Sequence, residues 1–239
     1  MDPYNFERYE NMRASLVCYS QPIEEFFEKT GIQSIKELIA YCARISNPTN
    51  QLNKDTSEKL IDYLLKHKHF SPFEMCSITV EIETTRDIAR QLLRHRSFTF
   101  QEFSQRYADP TQMEFVIREA RMQDPKNRQK SVPLDPCNLD HVSIQSRFID
   151  RQKALIEHAK QVYQWALDNG IAKEQARCVL PEGCTPSRLY VQGTIRSFIH
   201  YIDVRTDEGT QQEHRELAVA IAQAIQEIFD IESTGVVHG

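Results

Sequence analysis

Only 7 glycines occur in 239 residues, and none falls in a G-x-G-x-x-G or G-x-x-x-x-G-K pattern. A glycine-rich phosphate loop is therefore excluded, because such loops need glycine where the chain turns tightly against the phosphate. Any phosphate bound here must be held mainly by side chains. Cys18, Cys42, Cys76, Cys137, Cys178 and Cys184 include no C-x-x-C pair, and no ligand quartet has zinc-like spacing. The thiols are read as reduced and no metal is expected. No apolar run approaches the roughly 20 residues of a spanning helix, and Met1-Asp2-Pro3-Tyr4 does not open a signal peptide. A cytoplasmic protein without membrane contact is the expectation. Basic charge is short as well: the net charge is −5 and the pI about 5.9, which argues against nucleic-acid binding by the whole surface.

What is present is 40% hydrophobic content, enough to build a core. Repeats, coiled-coil heptads and linker composition are missing, so a single domain over 1–239 is predicted. Residues 1–33 read as an N-terminal lead. Residues 108–145, with Pro110, Pro125, Pro133 and Pro136 and little periodicity, read as a long excursion of a functional or mobile kind.

Ala14-Ser15-Leu16-Val17-Cys18-Tyr19 suggests a short strand before Pro22. Ser34 and Glu37 form a capping-box pattern for a helix carrying Ile35, Leu38, Ile39 and Cys42 and ending near Asn47-Pro48. Asp55 and Glu58 repeat that pattern ahead of Leu60, Ile61, Leu64 and Leu65. The period then changes to two: Cys76, Ile78, Val80 and Ile82 alternate with Ser77, Thr79, Glu81 and Glu83, as in a half-buried strand. Thr84 or Thr85 is expected to cap a helix that packs Ile88, Ala89, Leu92 and Leu93 inward, with Arg86, Arg90, Gln91, Arg94 and His95 on its polar face.

After the excursion, Leu155, Ala159, Val162, Tyr163, Ala166 and Leu167 mark one face of a long helix that stops at Asn169-Gly170. A shorter helix over 172–180 ends at Pro181. Leu189-Tyr190-Val191 suggests a strand, and Ile195, Phe198, Ile199 and Ile202 a helix whose opposite ridge is Arg196, His200 and Asp203. The last helix covers about 211–229, with Leu217, Ile221, Ala224, Ile225 and Ile228 inward. The predicted fold class is α+β: a mostly helical domain with a small, mainly antiparallel sheet fed by residues near 14–19, 76–83 and 188–193.

One stretch contradicts the acidic balance. Between residues 90 and 106, Arg90, Arg94, Arg96 and Arg106 outnumber the one carboxylate, Glu102. An anion such as phosphate is the expected partner, since forked guanidinium donors suit it. Phe98, Phe100, Phe103 and Tyr107 lie among these cations, and aromatic planes with guanidinium planes suit a planar ring carrying phosphate, such as a nucleotide or dinucleotide. The plain alternative is a wet helix face on which Glu83 and Asp87 pair with neighbouring arginines. Ser104 lacks a G-x-S-x-G context and is read as a hydrogen-bonding residue instead of a nucleophile. His67 and His69 resemble half a metal site but are more often packed or ligand-contacting. Glu74, at the strand entrance, could accept from a ribose or amide.

These residues resemble a known family. Arg94-His95-Arg96, seven intervening residues and Ser104 are similar to the signature of flavin-dependent thymidylate synthases. The companions follow in order: Ala43-Arg44-Ile45-Ser46, His69-Phe70-Ser71-Pro72-Phe73-Glu74, Ala89-Arg90-Gln91, Ala176-Arg177-Cys178-Val179-Leu180-Pro181, Ile195-Arg196, Arg205 and Gln211. The resemblance covers roughly residues 35–230 and implies a thymidylate synthase-complementing type of fold. It further implies a homotetramer that binds FAD between subunits. Such an enzyme converts dUMP to dTMP with methylenetetrahydrofolate as carbon donor and NADPH as reductant.

By that resemblance Ser71, Arg94, His95, Arg96, Glu102, Arg196 and His200 are flavin contacts, with Ser46, Glu74 and Gln211 in the same pocket. Gln91, Arg94, Glu102, Ser104, Arg106, Arg177 and Arg205 form the dUMP-binding set. Arg205 matches the arginine that faces the uracil ring, where a fixed cation stabilises charge developing on the base. Gln101 stands where the motif often has asparagine, and His200 where a flavin-binding asparagine is frequent; both still donate hydrogen bonds. Two other readings stay open: a nucleotide- or RNA-binding module without chemistry, and a flavoprotein of this fold without methyl transfer.

Overall fold

The computed structural model describes residues 12–230; the first part of the N-terminal lead lies outside them. In chain order these residues form β1 (Arg13–Tyr19), α1 (Glu24–Thr30), α2 (Ile35–Ala43), α3 (Ser57–Lys66), β2 (Ser77–Thr85), α4 (Arg86–Leu92) and β3 (Thr99–Glu102). Then come β4 (Arg121–Gln123), β5 (Ser131–Pro133), α5 (Leu139–Asp168), α6 (Lys173–Ala176), β6 (Pro186–Thr194), α7 (Ile195–Arg205) and α8 (Gln212–Ile225).

A four-stranded sheet runs in the order β1-β2-β6-β3, antiparallel throughout. β2 and β6 pair from Ser77 opposite Thr194 to Thr85 opposite Pro186. Side chains alternate across a strand, so Ile78, Val80 and Ile82 of β2 and Leu189 and Val191 of β6 enter the core. There they join Ile39, Ile61, Leu64, Phe198, Ile202, Leu217, Ile221 and Ile225 from α2, α3, α7 and α8. Each such side chain contributes about 1.5–3 kcal/mol of burial. Glu81 and Arg188 pair on the opposite face of the sheet.

The capping box at Ser34 and Glu37 forms as expected. Four sequence expectations are corrected. The Asp55–Glu58 pattern does not cap α3: Thr56 is the N-cap and no side chain bonds there. Thr85 precedes α4 without capping it, because its hydroxyl donates to Asp87 Oδ1 at 2.5 Å. α4 ends at Leu92, so Arg94 and His95 lie beyond it in a turn closed by His95 N–H to Leu92 O at 3.0 Å. α5 starts at Leu139, inside the supposed excursion, because the Asn138 side chain accepts from Asp140 N and His141 N and caps it.

Smaller differences follow from burial. On α5 the inward residues are Ile156, Ala159, Tyr163 and Ala166, while Leu155 is 53% exposed. On α8 Ala222 replaces Ala224 on the buried face. The remainder of 108–145 is ordered around the β4–β5 hairpin, and the lead contains α1, stopped by Gly31 at φ 69°.

Candidate active site

One hydrogen bond joins the turn after α4 to the end of α7, and a second hydrogen-bonded group joins α4 to the start of α8. Arg205, the last residue of α7, donates from Nε to His95 Nε2 at 2.9 Å. Alongside, Gln91 Nε2 donates to Gln211 Oε1 at 2.7 Å, and Gln91 Oε1 lies 3.2 Å from His214 Nδ1. Tyr201 packs edge-on against His95, with ring centroids 4.9 Å apart. Burial, then the Arg205 charge, then His200 push the His95 imidazole down to about 4. Burial, then Arg205, then His95 push His214 down to about 3. Both rings are neutral near pH 7, so Arg205 is held by an uncharged partner.

The network continues into the excursion. Gln211 Nε2 donates to Glu213 Oε2 at 3.0 Å, and Glu213 also takes Arg121 at 2.5 Å and Arg118 at 3.5 Å. Burial alone would raise the Glu213 carboxyl, but Arg121 and Arg118 more than offset it and hold it below its ordinary value. Arg118 further bonds Asp87 at 2.8 Å and Thr85 Oγ1 at 2.7 Å.

The basic run is less unbalanced in space than in sequence. Arg90 pairs with Glu182 and Arg106 with Glu174, both distant in the chain. Glu102 takes Arg86 at 3.5 Å and the Ser187 hydroxyl at 2.7 Å. Asp87 turns to Arg118, not to a neighbouring arginine on α4. All four arginines of the run are exposed, and among the described residues Arg94 and Arg96 are the two that make no ion pair. The aromatic reading is corrected at Phe98: it is 6% exposed and packs on Phe198 at 4.8 Å, because it sits where β3 enters the core. Tyr107 is 84% exposed and stays available.

The other expected residues fall into two further groups. Ser71 and Glu74 share the short turn Ser71–Met75 before β2. Glu74 pairs with Arg196 on α7, and His200 follows one turn later on that exposed ridge. Ser104, Arg106 and Arg177 gather elsewhere: Ser104 Oγ accepts from Arg106 N–H at 3.4 Å, Arg106 meets Glu174, and Arg177 Nε donates to Glu174 O at 3.4 Å. Among the described residues no hydrogen bond or ion pair joins this second group to Gln91 and Arg205. Ser46 is exposed after α2 and touches none of them, while Arg44 beside it is buried and serves the fold by donating to Thr56 Oγ1 at 2.8 Å. His67 and His69 form a surface ring cluster with Tyr63. No group of three or more potential metal ligands occurs among the described residues.

Residues 28–230 match the family described as "Thymidylate synthase complementing protein". The chain belongs to this family. It is 46% identical over 218 residues to a probable flavin-dependent thymidylate synthase of Paramecium bursaria Chlorella virus 1, covering 91% of this chain and 94% of that protein. It is 49% identical over 192 residues to the flavin-dependent thymidylate synthase of Synechocystis sp., covering 80% and 85%. Among solved structures it resembles the UMP/dUMP methylase PolB of Streptomyces cacaoi bound with 5-Br UMP, at TM-score 0.74 and 26% identity, covering 95% of each chain.

As a member of this family the chain contains residues that fit a flavin dinucleotide. The observation is two sets of polar side chains: Arg196 and His200, one turn apart on the exposed ridge of α7, and Arg205 at the end of α7 against His95, which exposed Arg94 and Arg96 flank in the chain. A pyrophosphate needs such cations, and no glycine loop supplies an alternative. The residues that sequence reasoning missed are Arg118, Arg121, Ser187, Glu213 and His214. The last two had a signal: they occupy the buried positions of the α8 stripe ahead of Leu217, where polar residues call for partners.

Proposed function

We propose that this chain is a flavin-dependent thymidylate synthase, a methyltransferase that converts dUMP to dTMP for nucleotide synthesis. Methylenetetrahydrofolate donates the carbon and NADPH the reductant. The observation that carries the reading is Arg205 held by neutral His95 inside the Arg94-His95-Arg96-x7-Ser104 segment. A neutral imidazole orients the guanidinium without cancelling its charge. Arg205 can then stabilise negative charge on the uracil ring, so that carbon attack proceeds without an enzyme nucleophile. Bound FAD, once reduced, supplies the reducing equivalents.

In this reading Ser71, Arg94, His95, Arg96, Glu102, Arg196 and His200 hold the cofactor, with Ser46, Glu74 and Gln211 beside it. Gln91, Arg94, Glu102, Ser104, Arg106, Arg177 and Arg205 seat dUMP, the forked donors of Arg106 and Arg177 meeting the phosphate. Glu102 then lies between nucleotide and cofactor. The nucleotide residues form two separate groups within one chain, which supports a site completed by a second copy, as in a homotetramer. Exposed Phe148, Leu155 and Trp165 along α5 supply apolar surface for such association. No described helix is long and apolar enough to cross a membrane, and the six free cysteines suit a cytoplasmic setting.

The test is the absorbance spectrum with added FAD, before and after NADPH without oxygen, followed by product analysis with labelled folate. Flavin reduction and label in dTMP are expected. Absence of a flavin spectrum defeats the whole reading, and flavin reduction without labelled product leaves a flavoprotein lacking methyl transfer. Assaying UMP beside dUMP separates deoxynucleotide from ribonucleotide use.

A further inference from the structure

We propose that His214 is a positioning residue for the nucleotide: with Glu213 it locks the Gln91 side-chain amide in one orientation. The proposal rests on the thymidylate synthase reading, in which Gln91 contacts dUMP. Glu213 and His214 are 7% and 0% exposed, in the first turn of α8, where the stripe continues as Leu217, Ala218 and Ile221. Burying polar groups costs stability unless they are hydrogen-bonded, so their bonds explain their presence.

Those bonds have a fixed polarity. An ionised carboxylate only accepts, so the Gln211 amide must turn its Nε2 toward Glu213, where it lies at 3.0 Å. Its Oε1 then faces Gln91 and receives Nε2–H at 2.7 Å. Gln91 consequently presents Oε1 to His214 Nδ1 at 3.2 Å, and the proton of that ring must sit on Nδ1. Donation runs from His214 through Gln91 and Gln211 to Glu213. Flipping either amide would set oxygen against oxygen. Arg118 and Arg121 fix one end by holding Glu213. At the other end the His214 ring is packed against Tyr201, with centroids 5.7 Å apart. His214 Nε2 finds no partner among the described residues, so the Nδ1 contact is what a histidine provides here. One hydrogen of Gln91 Nε2 stays uncommitted on a half-buried side chain, ready to donate to the nucleotide.

Three variants of the FAD-loaded protein separate orientation from bulk: His214→Asn, His214→Gln and His214→Leu. Asparagine places an amide nitrogen near the Nδ1 position, glutamine near Nε2, and leucine offers no donor. Calorimetric titration with dUMP is expected to show binding about tenfold weaker for His214→Leu and His214→Gln. His214→Asn should stay within about threefold of wild type, an effect on the order of 0.7 kcal/mol or less. In turnover the loss should fall on KM for dUMP, with kcat and the FAD spectrum nearly unchanged. Equal affinities for His214→Asn and His214→Gln overturn the proposal, and their contrast remains readable even if His214→Leu does not fold. Wild-type protein that fails to bind dUMP overturns the underlying reading and this one with it. Wild-type binding matched by His214→Leu sinks the positioning role alone.

Discussion

Arg205 Nε donates to His95 Nε2 over 2.9 Å, which joins the end of α7 to the signature turn after α4. Because His95 Nε2 accepts, its proton sits on Nδ1 and the ring is neutral, in keeping with its depression to about 4. The pair therefore keeps a full positive charge fixed at the end of α7.

Replacing Arg205 by alanine should lower turnover about a hundredfold or more, the usual cost of removing one transition-state donor. FAD retention should stay within about twofold, read by flavin absorbance after gel filtration. The His95 titration should also move upward, since the Arg205 charge is the second cause of its depression, yet stay below 6.5 because burial is the first. Equal loss of cofactor and turnover would contradict the assigned role.

Ser104 accepts from Arg106 N–H at 3.4 Å, a contact that shapes the turn and does not activate a nucleophile. No histidine bonds its hydroxyl among the described residues, and covalent catalysis needs such a base. Ser104→Ala should thus retain measurable thymidylate formation in a labelled-folate assay while KM for dUMP rises. Complete inactivity with intact nucleotide binding would restore the nucleophile.

Much of this site was legible because its chemistry is written in residue type. His95 and Gln91 could be singled out on a polar helix face, Arg205 through the family resemblance, and Ile78, Val80 and Ile82 from strict alternation. β3 is not legible although Phe98 and Phe100 alternate with Thr99 and Gln101, because a strand of four residues is too short for its period to stand out within a charged motif. The pairing of Arg90 with Glu182 and Arg106 with Glu174 was hidden for a different reason: those partners are brought near by the fold, and no local period reports them. The β4–β5 hairpin has strands of three residues, too short to show any period.

Glu213→Gln removes the acceptor that anchors Arg118 and Arg121, with Glu213 and both arginines largely buried. Breaking a buried pair leaves uncompensated charge, so a loss of about 3 kcal/mol is expected. Lys130→Ala removes an exposed pair with Glu208, at 3.1 Å, and should cost under about 1 kcal/mol. Urea midpoints at equal m-value compare the two; a larger effect at Lys130 would show that the hairpin is anchored at its tip.

Gly193 faces Phe98 across the β6–β3 junction, and an added Cβ would come within 2.4 Å of the Phe98 ring. That ring cannot retreat, since Phe198 and Tyr201 pack on it at 4.8 and 5.7 Å. Gly193→Ala should destabilise by about 1–3 kcal/mol through overpacking. Thermal unfolding checks it, and Phe98→Leu in the same background should recover part of the loss by yielding space.

Acid should weaken the fold before carboxylates titrate. The ordinary histidine value is 6.5, while His95 is held at about 4 and His214 at about 3. Between 6.5 and those values the unfolded chain binds protons that the folded chain refuses. Stability therefore rises with pH across this window and falls as pH drops from 6.5 toward 4, by up to about 1.4 kcal/mol per pH unit for each group. Glu213, held below its ordinary 4.5, adds a loss in the same direction at lower pH. Urea midpoints at pH 7, 6 and 5 should fall steadily in wild type. His214→Asn deletes one of the two titrations and should flatten the slope between pH 6 and 5 by about half; an unchanged slope would mean that His214 is protonated in the folded protein.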